Sequence, residues 1–343
     1  LTIEDVTWEA EGFDANTPGE YMFTAKLPEG YKAAPEIGAP QITVTVKEAM
    51  NTLDFTSFAV GNTVTVNGLN YNILSMPAGE THGTVEVGNN EGYTGNNLSI
   101  PAEITVSGDA QNDGAYNVVG ISNGAFWKCA SLTGTLTIPA SIKSIGDVAF
   151  RGTDISGTLT IPASVTDIGD SAFSGCSGIT GLELPANGNL KTIGGSAFKG
   201  TGIRGTLTIP AGVIDIDGLA FYGCSGITGL ELPANGNLKT IGGSAFFETG
   251  ISGTLTISAS VTDIGGLAFS NCSGITGLEL PQSGSLKTIG EYAFERTGIS
   301  GTLTIPASAI NISGFNGCAG ITEIIFSESG NLKTIGISAF DGT

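Results

Sequence analysis

Hydrophobic and polar positions repeat along most of the chain in two short words. The first is L-T-I-P or L-E-L-P, as at residues 159–162 and 182–185. This alternation indicates a β-strand whose apolar side chains point inward and whose Thr or Glu points outward. The proline ends the strand because it has no N–H to donate to a ladder. The second word, V-T-D-I-G or L-K-T-I-G, predicts another short strand on a different side of a coil.

A phenylalanine in the word S-A-F-x-G marks each turn of the pattern, and successive phenylalanines lie 21 to 25 residues apart. Fixed apolar offsets at such a period are typical of stacked single-coil units. The word is too short for a helix and predicts a tight or 3₁₀ turn. Parallel ladders about 4.8 Å apart would align the phenylalanines in one buried structural column: Phe126, Phe150, Phe173, Phe198, Phe221, Phe246, Phe269, Phe294, Phe315 and Phe340.

The repeated wording also resembles a known family. The pattern I-P-x-x-V-T-x-I-G-x-x-A-F-x-G-C-x-x-I-T, which recurs over residues 98–343, is similar to the BspA-type leucine-rich repeats of bacterial surface proteins. Residues 98–126 look like that family's first repeat with an inserted hairpin. We therefore predict a mainly β fold, a right-handed leucine-rich-repeat solenoid with parallel ladders and short 3₁₀ turns.

The N-terminal residues follow another pattern, with alternating strands around a P-G-E turn. They resemble the later part of a bacterial immunoglobulin-like (Ig-like) module. We expect three parts in the chain: a partial Ig-like β module over residues 1–49, an N-terminal cap and first repeat over residues 50–117, and the solenoid over residues 118–343.

Charge restricts the class of partner. The chain has 32 acidic and 13 basic residues and a formal net charge of −19. A strongly acidic chain without a basic patch repels phosphate backbones and anionic headgroups, so we expect no nucleic-acid partner. No run of 18 apolar residues occurs in the sequence, so we also expect no direct insertion into a membrane.

Residues that could carry catalysis are few. His82, the one histidine, lies in a glycine-rich stretch beside no G-x-S-x-G word, and we interpret it as a solvated loop residue. No phosphate-binding loop or dinucleotide fingerprint occurs. Asp167, Asp215 and Asp263 form a column, but one carboxylate on every second coil cannot supply the six to eight oxygens of a calcium site. We predict no enzymatic activity, no metal and no cofactor.

The residue after each phenylalanine varies from coil to coil, whereas most other positions of the repeat are nearly constant. Such a position should be exposed to solvent, and two interpretations stay open: neutral variation of a surface, or recognition of a partner. Tyr222 and Phe247, on neighbouring coils about one ladder spacing apart, are the candidate anchors. Trp127 and Arg151 form a second candidate patch. The column consists of Trp127, Arg151, Ser174, Lys199, Tyr222, Phe247, Ser270, Glu295, Asn316 and Asp341.

The cysteines occupy alternate coils. Two ladder spacings separate neighbouring cysteines by roughly 10 Å, which is beyond the roughly 7 Å between α-carbons that a disulfide permits. We predict free thiols packed as small hydrophobes inside the coil, with threonines at the same place on the intervening coils. The cysteines are Cys129, Cys176, Cys224, Cys272 and Cys318.

The leading hypothesis is therefore a non-enzymatic binding protein, an adhesin or protein-interaction scaffold that is secreted or lies on a bacterial cell surface. The family resemblance implies host or other-cell proteins as partners, and glycans are also open. Two alternatives remain: a structural stalk that presents another module, or an accessory glycan-binding component of a surface system.

Overall fold

The chain forms two compact units, residues 1–59 with 107–113 and residues 60–106 with 114–343. A computed structural model describes three strands near the N-terminus and residues 63–75, 82–106, 114–327 and 330–343. The three strands, β1 (Thr7–Glu9), β2 (Gly19–Lys26) and β3 (Gln41–Val46), form an antiparallel sheet in the order β1-β2-β3. The partial Ig-like module expected over residues 1–49 otherwise falls outside the described residues and stays a prediction.

The second unit begins with a cap that extends the sheet of the coils. Its strands are β4 (Thr63–Val66), β5 (Leu69–Ser75), β6 (Gly83–Val87), β7 (Leu98–Ser99), β8 (Glu103–Val106) and β9 (Gly114–Ile121). β4, β5 and β6 form an antiparallel meander, and β6 then pairs parallel with β9. The antiparallel pairing of β8 with β9 confirms the hairpin expected in the first repeat.

The coils that follow contribute two sets of strands. Strands of the first word are β10 (Leu136–Thr137), β12 (Gly157–Thr160), β14 (Ile179–Glu183), β16 (Gly205–Thr208), β18 (Ile227–Glu231), β20 (Gly253–Thr256), β22 (Ile275–Glu279), β24 (Ser300–Ile305) and β26 (Gly320–Phe326). Strands of the second word are β11 (Ser144–Ile145), β13 (Asp167–Ile168), β15 (Thr192–Ile193), β17 (Asp215–Ile216), β19 (Thr240–Ile241), β21 (Asp263–Ile264), β23 (Thr288–Ile289), β25 (Asn311–Ile312) and β27 (Thr334–Ile335).

The two sets of strands pair differently. The second set forms one parallel ladder from β9 to β27, with an isoleucine opposite an isoleucine at each step. The first set pairs in twos, β12 with β14, β16 with β18, β20 with β22 and β24 with β26, and β10 pairs with β7. The mainly β solenoid with parallel ladders is thus confirmed, and the ladder of the first word is interrupted after every second coil.

The word S-A-F-x-G predicted a tight or 3₁₀ turn, and the structure shows tight turns. Around Phe173, Ser171 and Gly175 have φ of 56° and 80°, and left-handed residues at these places interrupt a right-handed 3₁₀ helix. Alternate amides donate to the next coil instead, with Phe173 N 2.8 Å from the Ala197 oxygen. The amides between them close turns within the coil, as Ala172 does on Gly169. The word is therefore a run of tight turns that bonds every amide while stacking coil on coil.

The phenylalanine column lies in the interior of these turns. Neighbouring rings are stacked with centroids 5.2 to 5.5 Å apart and interplanar angles of 2° to 11°. The rings from Phe126 to Phe315 have no solvent exposure, and Phe340 on the last coil is half-buried. Burying each ring contributes on the order of 1.5–3 kcal/mol, which supports the predicted structural role of the column.

The cysteines are free and buried, as predicted. Cys176 Sγ donates to the Phe150 oxygen of the preceding coil at 3.1 Å and lies 3.4 Å from Thr153 Oγ1. Thr153 Oγ1 donates to the same carbonyl. Cysteine and threonine thus occupy the same position on alternate coils. Burial raises the pKa of the Cys176 thiol to about 11. Burial likewise raises the pKa of the Cys224, Cys272 and Cys318 thiols, so these thiols and that of Cys176 are protonated at neutral pH.

Candidate binding surface

The variable column follows the outer edge of the turns. Its best-defined feature is an aromatic pair: the rings of Tyr222 and Phe247 are stacked with centroids 4.8 Å apart and an interplanar angle of 6°. Both side chains are half-buried. Their backbones are fixed because the residue before each one, Phe221 or Phe246, is stacked in the core. The predicted proximity of Tyr222 and Phe247 on neighbouring coils is thus observed.

Charged groups continue the aromatic pair along the edge. On the preceding coil, Lys199 Nζ lies 4.9 Å from the centroid of the Tyr222 ring, a cation–π contact worth about 0.5–1 kcal/mol at an exposed site. Further along, Glu295 Oε1 lies 3.7 Å from Arg296 Nε. We call Lys199, Tyr222, Phe247, Glu295 and Arg296 the turn-edge patch.

The expectation that every residue of the variable column is exposed is wrong at Ser270. This serine has no solvent exposure, and its Oγ donates to Glu295 Oε2 at 3.0 Å. A small side chain between the larger Phe247 and Glu295 is covered by its neighbours, since adjacent coils are only about 4.8 Å apart. The serine thereby links the two sides of the turn-edge patch.

The position two residues after each phenylalanine adds side chains beside the patch. This position is left-handed along the array and is often glycine, as at Gly175 and Gly200. On three consecutive coils it is instead Glu248, Asn271 and Arg296, with φ of 56°, 61° and 55°. A left-handed conformation costs an L-residue roughly 1–2 kcal/mol. The chain therefore accepts strain at the residues that directly follow Phe247, Ser270 and Glu295, a feature that the spacing of the phenylalanines did not reveal.

The second candidate patch is less compact. The side chain of Lys128, the next residue, covers the ring of Trp127, with Lys128 Nζ 4.3 Å from the ring centroid. Trp127 is half-buried, and Arg151 on the next coil is exposed. This region is a basic surface with one aromatic ring, and its ring is occupied by a residue of the same coil.

The other residues considered from the sequence have ordinary surroundings. His82 and Glu103 are side chains 44% and 46% exposed, with Nδ1 and Oε2 3.4 Å apart. Asp167 and Asp215 both face Thr192 along the ladder of the second word. Among the residues that the structure describes, no group of three or more His, Cys, Asp or Glu side chains is placed to hold a metal ion.

The outward face of the first word carries regular hydrogen bonds that the sequence did not predict. Thr160 Oγ1 donates to Glu183 Oε2 at 2.8 Å, between two paired strands. The same contact recurs at Thr208–Glu231, Thr256–Glu279 and Thr302–Glu323. These carboxylates are thus held by threonines of the neighbouring coil on a regular, aromatic-free face.

A pocket of about 1340 Å³ lies at the cap, on the side of the long ladder. The turn Asn67–Gly68, the loop of residues 89–94 and the ladder residues of the first coils line it, and it is open to solvent. We call it the cap pocket. The sequence did not predict it, because its walls come from segments far apart in the chain.

The sequence model of a protein family, the BspA type leucine rich repeat region, matches this chain in six copies, over residues 115–228, 191–314 and 239–343. Among curated protein sequences no relative is detected. Separately, no helix among the described residues has the length and apolar character needed to cross a membrane.

Crystal structures of several leucine-rich repeat proteins are similar to the chain. A protein from Bacteroides ovatus is 23% identical and covers 81% of this chain and 92% of its own, with a TM-score of 0.36. The pneumococcal vaccine antigen PcpA is 17% identical, and the match covers 80% of this chain and 87% of PcpA, with a TM-score of 0.43. A leucine rich cell surface protein from Faecalibacterium prausnitzii is 19% identical, and the match covers 78% of this chain and 95% of that protein, with a TM-score of 0.34.

Proposed function

Since the chain belongs to the BspA-type leucine-rich repeat family, we propose that it is a non-enzymatic adhesin or interaction scaffold that binds another protein through the turn-edge patch. We also propose that it acts outside a bacterial cell, either secreted or attached to the surface. The observation that carries the proposal is the half-buried stack of Tyr222 on Phe247.

The turn-edge patch carries residue types that are common at protein interfaces. Tyrosine, tryptophan and arginine dominate the binding energy of protein interfaces, and large aromatic rings bring much contact area at a low entropic cost. Tyr222 is held between Lys199 and Phe247, so little side-chain freedom remains to be lost on binding. Lys199 against the Tyr222 ring and the pair Glu295–Arg296 further along the edge bring opposite charges to the patch, which suits a polar rim around an apolar centre.

The experiment compares matched variants of the full chain against a panel of extracellular host proteins and bacterial surface proteins. Tyr222→Ser combined with Phe247→Ser should weaken a bound protein about 30-fold or more, which corresponds to roughly 2 kcal/mol or above for a central anchor. Ser174→Ala combined with Asp341→Ser changes the same column outside both candidate patches and should leave the affinity unchanged.

Two results would count against the proposal. A protein that binds both double variants equally well would move the binding surface away from the patch. Absence of any protein ligand across the panel would instead favour the stalk, in which the repeats serve as a spacer for another module.

A further inference from the structure

The polar side chains that line the cap pocket are mostly asparagines and carboxylates. Among the described residues that line it, asparagines outnumber the acidic residues Glu86, Glu91, Asp147 and Asp167, and none is Lys, Arg or His. Its volume of about 1340 Å³ exceeds the roughly 300–1,000 Å³ of typical small-molecule sites. Such a pocket suits a chain of several small units better than a single one.

The chemistry of the lining selects the class of ligand. An asparagine amide offers two donors and an acceptor, and a carboxylate accepts strong hydrogen bonds, so both match hydroxyl groups that donate and accept. Carboxylates without a neighbouring cation repel anionic groups. The pocket therefore disfavours sulfated, phosphorylated or sialylated molecules and favours a neutral ligand rich in hydroxyls.

One wall is fixed before any ligand arrives. Asn90 is only 5% exposed, and its Oδ1 accepts from Asn70 N at 2.8 Å while its Nδ2 donates to the Gly88 oxygen at 2.9 Å. Asn72 Nδ2 donates to Glu86 Oε1 at 3.1 Å, which orients that carboxylate. Side chains that are already ordered lose less freedom on binding, so the wall is preorganised.

A second group of lining residues is held by the stacking of coils. Asn123 Oδ1 accepts from Asp147 N at 2.7 Å, and Asp147 Oδ1 accepts from Asp170 N at 2.8 Å. Asp167 Oδ2 likewise accepts from Thr166 Oγ1 at 2.6 Å. These hydrogen bonds orient the carboxylates of Asp147 and Asp167 before a ligand binds, and a carboxylate accepts strongly from hydroxyl donors.

An aromatic ring completes the rim. Tyr93 is half-buried; its hydroxyl donates to the Asn97 oxygen at 2.9 Å, and its ring meets Phe126 edge-on with centroids 5.9 Å apart. A ring held in this way offers a rigid apolar surface against which the C–H face of a sugar can pack.

From these features we propose that the cap pocket binds a neutral oligosaccharide. This site is separate from the turn-edge patch, so its test and the test of protein binding can succeed or fail independently.

The test uses the full chain on an array that carries neutral oligosaccharides together with their sialylated and sulfated counterparts, followed by titration calorimetry with the strongest neutral one. We expect binding to neutral oligosaccharides and none to the anionic forms. Glu86→Gln combined with Asp147→Asn keeps the size but removes two charges and turns one accepting oxygen of each side chain into an NH2 donor. It should weaken binding at least about fivefold because charge-assisted bonds are roughly twice as strong.

The matched control is Glu183→Gln combined with Glu231→Gln, the same chemical change on the outward strand face, which should leave binding unchanged. If the first double variant fails to fold, Glu91→Ala on the exposed loop should still weaken binding. Three results would overturn the proposal: no neutral oligosaccharide bound, equal binding by all variants, or capture by the pocket of a Lys- and Arg-rich peptide that 0.5 M salt abolishes.

Discussion

Two phenylalanines that are adjacent in sequence should have very different energetic roles. Phe246 has no solvent exposure and is stacked on both sides, with centroids 5.3 Å from Phe221 and 5.3 Å from Phe269. Phe246→Ala should therefore lower the free energy of unfolding by about 3–5 kcal/mol. Phe247 is half-buried and stacked on Tyr222 alone among the described rings, so Phe247→Ala should cost about 1–2 kcal/mol from partial burial and one ring pair.

Urea unfolding of the full chain, followed by circular dichroism, measures both values. Repeat arrays lose stability through interfaces between neighbouring coils and can open in segments, so hydrogen exchange of the turn amides should accompany the melts. Phe246→Ala should accelerate exchange in the coils on both sides, whereas Phe247→Ala should leave them nearly as protected as in the parent chain. Equal destabilisation by the two substitutions would refute the separation of an inner and an outer aromatic column.

Further predictions follow from individual environments. Because burial raises the pKa of Cys176 to about 11, a thiol reagent at pH 7 should leave the folded chain almost unmodified and should titrate about five thiols after denaturation without reductant; one or fewer would mean that disulfides exist. Glu248→Gly should raise the free energy of unfolding by up to about 1 kcal/mol, because glycine adopts a left-handed φ without strain; a loss in urea melts would show that the Glu248 side chain stabilises the fold. Burial first, and then the charges of Asp215 and Asp170, raise the pKa of Asp217, so the charged form is disfavoured in the folded state. Asp217→Asn should therefore stabilise the chain at pH 7, and the gain should disappear below the ordinary pKa of an aspartate; a gain that is equal at both pH values would assign the effect to something other than charge.

Most of the interior could be predicted from spacing alone. A phenylalanine at a nearly constant period must occupy the same place on each coil, which is why Phe173 and Phe198 are stacked as expected. The alternation of cysteine with threonine predicted a free thiol because a two-coil separation is too long for a disulfide. The observed contact of Cys176 with Thr153 confirms that the two residue types share one column.

Features that depend on neighbouring side chains could not be predicted in this way. The burial of Ser270 results from the size of the Phe247 and Glu295 side chains, and the period of the repeat carries no information on the sizes of neighbouring side chains. The turn geometry depends on left-handed residues such as Ser171, whose identity does not reveal their φ. The cap pocket needs Glu86 on β6 and Asp147 just after β11 to line the same pocket, and nothing in their sequence separation indicates this.

The central claim is that the turn-edge patch contacts the partner directly, and site-specific photo-crosslinking tests it most directly. A benzophenone-bearing amino acid would replace Phe247 in one sample and Ser174, in the same column three coils earlier, in another. After illumination with a protein identified by the binding panel, we predict a crosslinked product from position 247 and none from position 174. Crosslinking of equal yield at the two positions, or at position 174 alone, would contradict the claim.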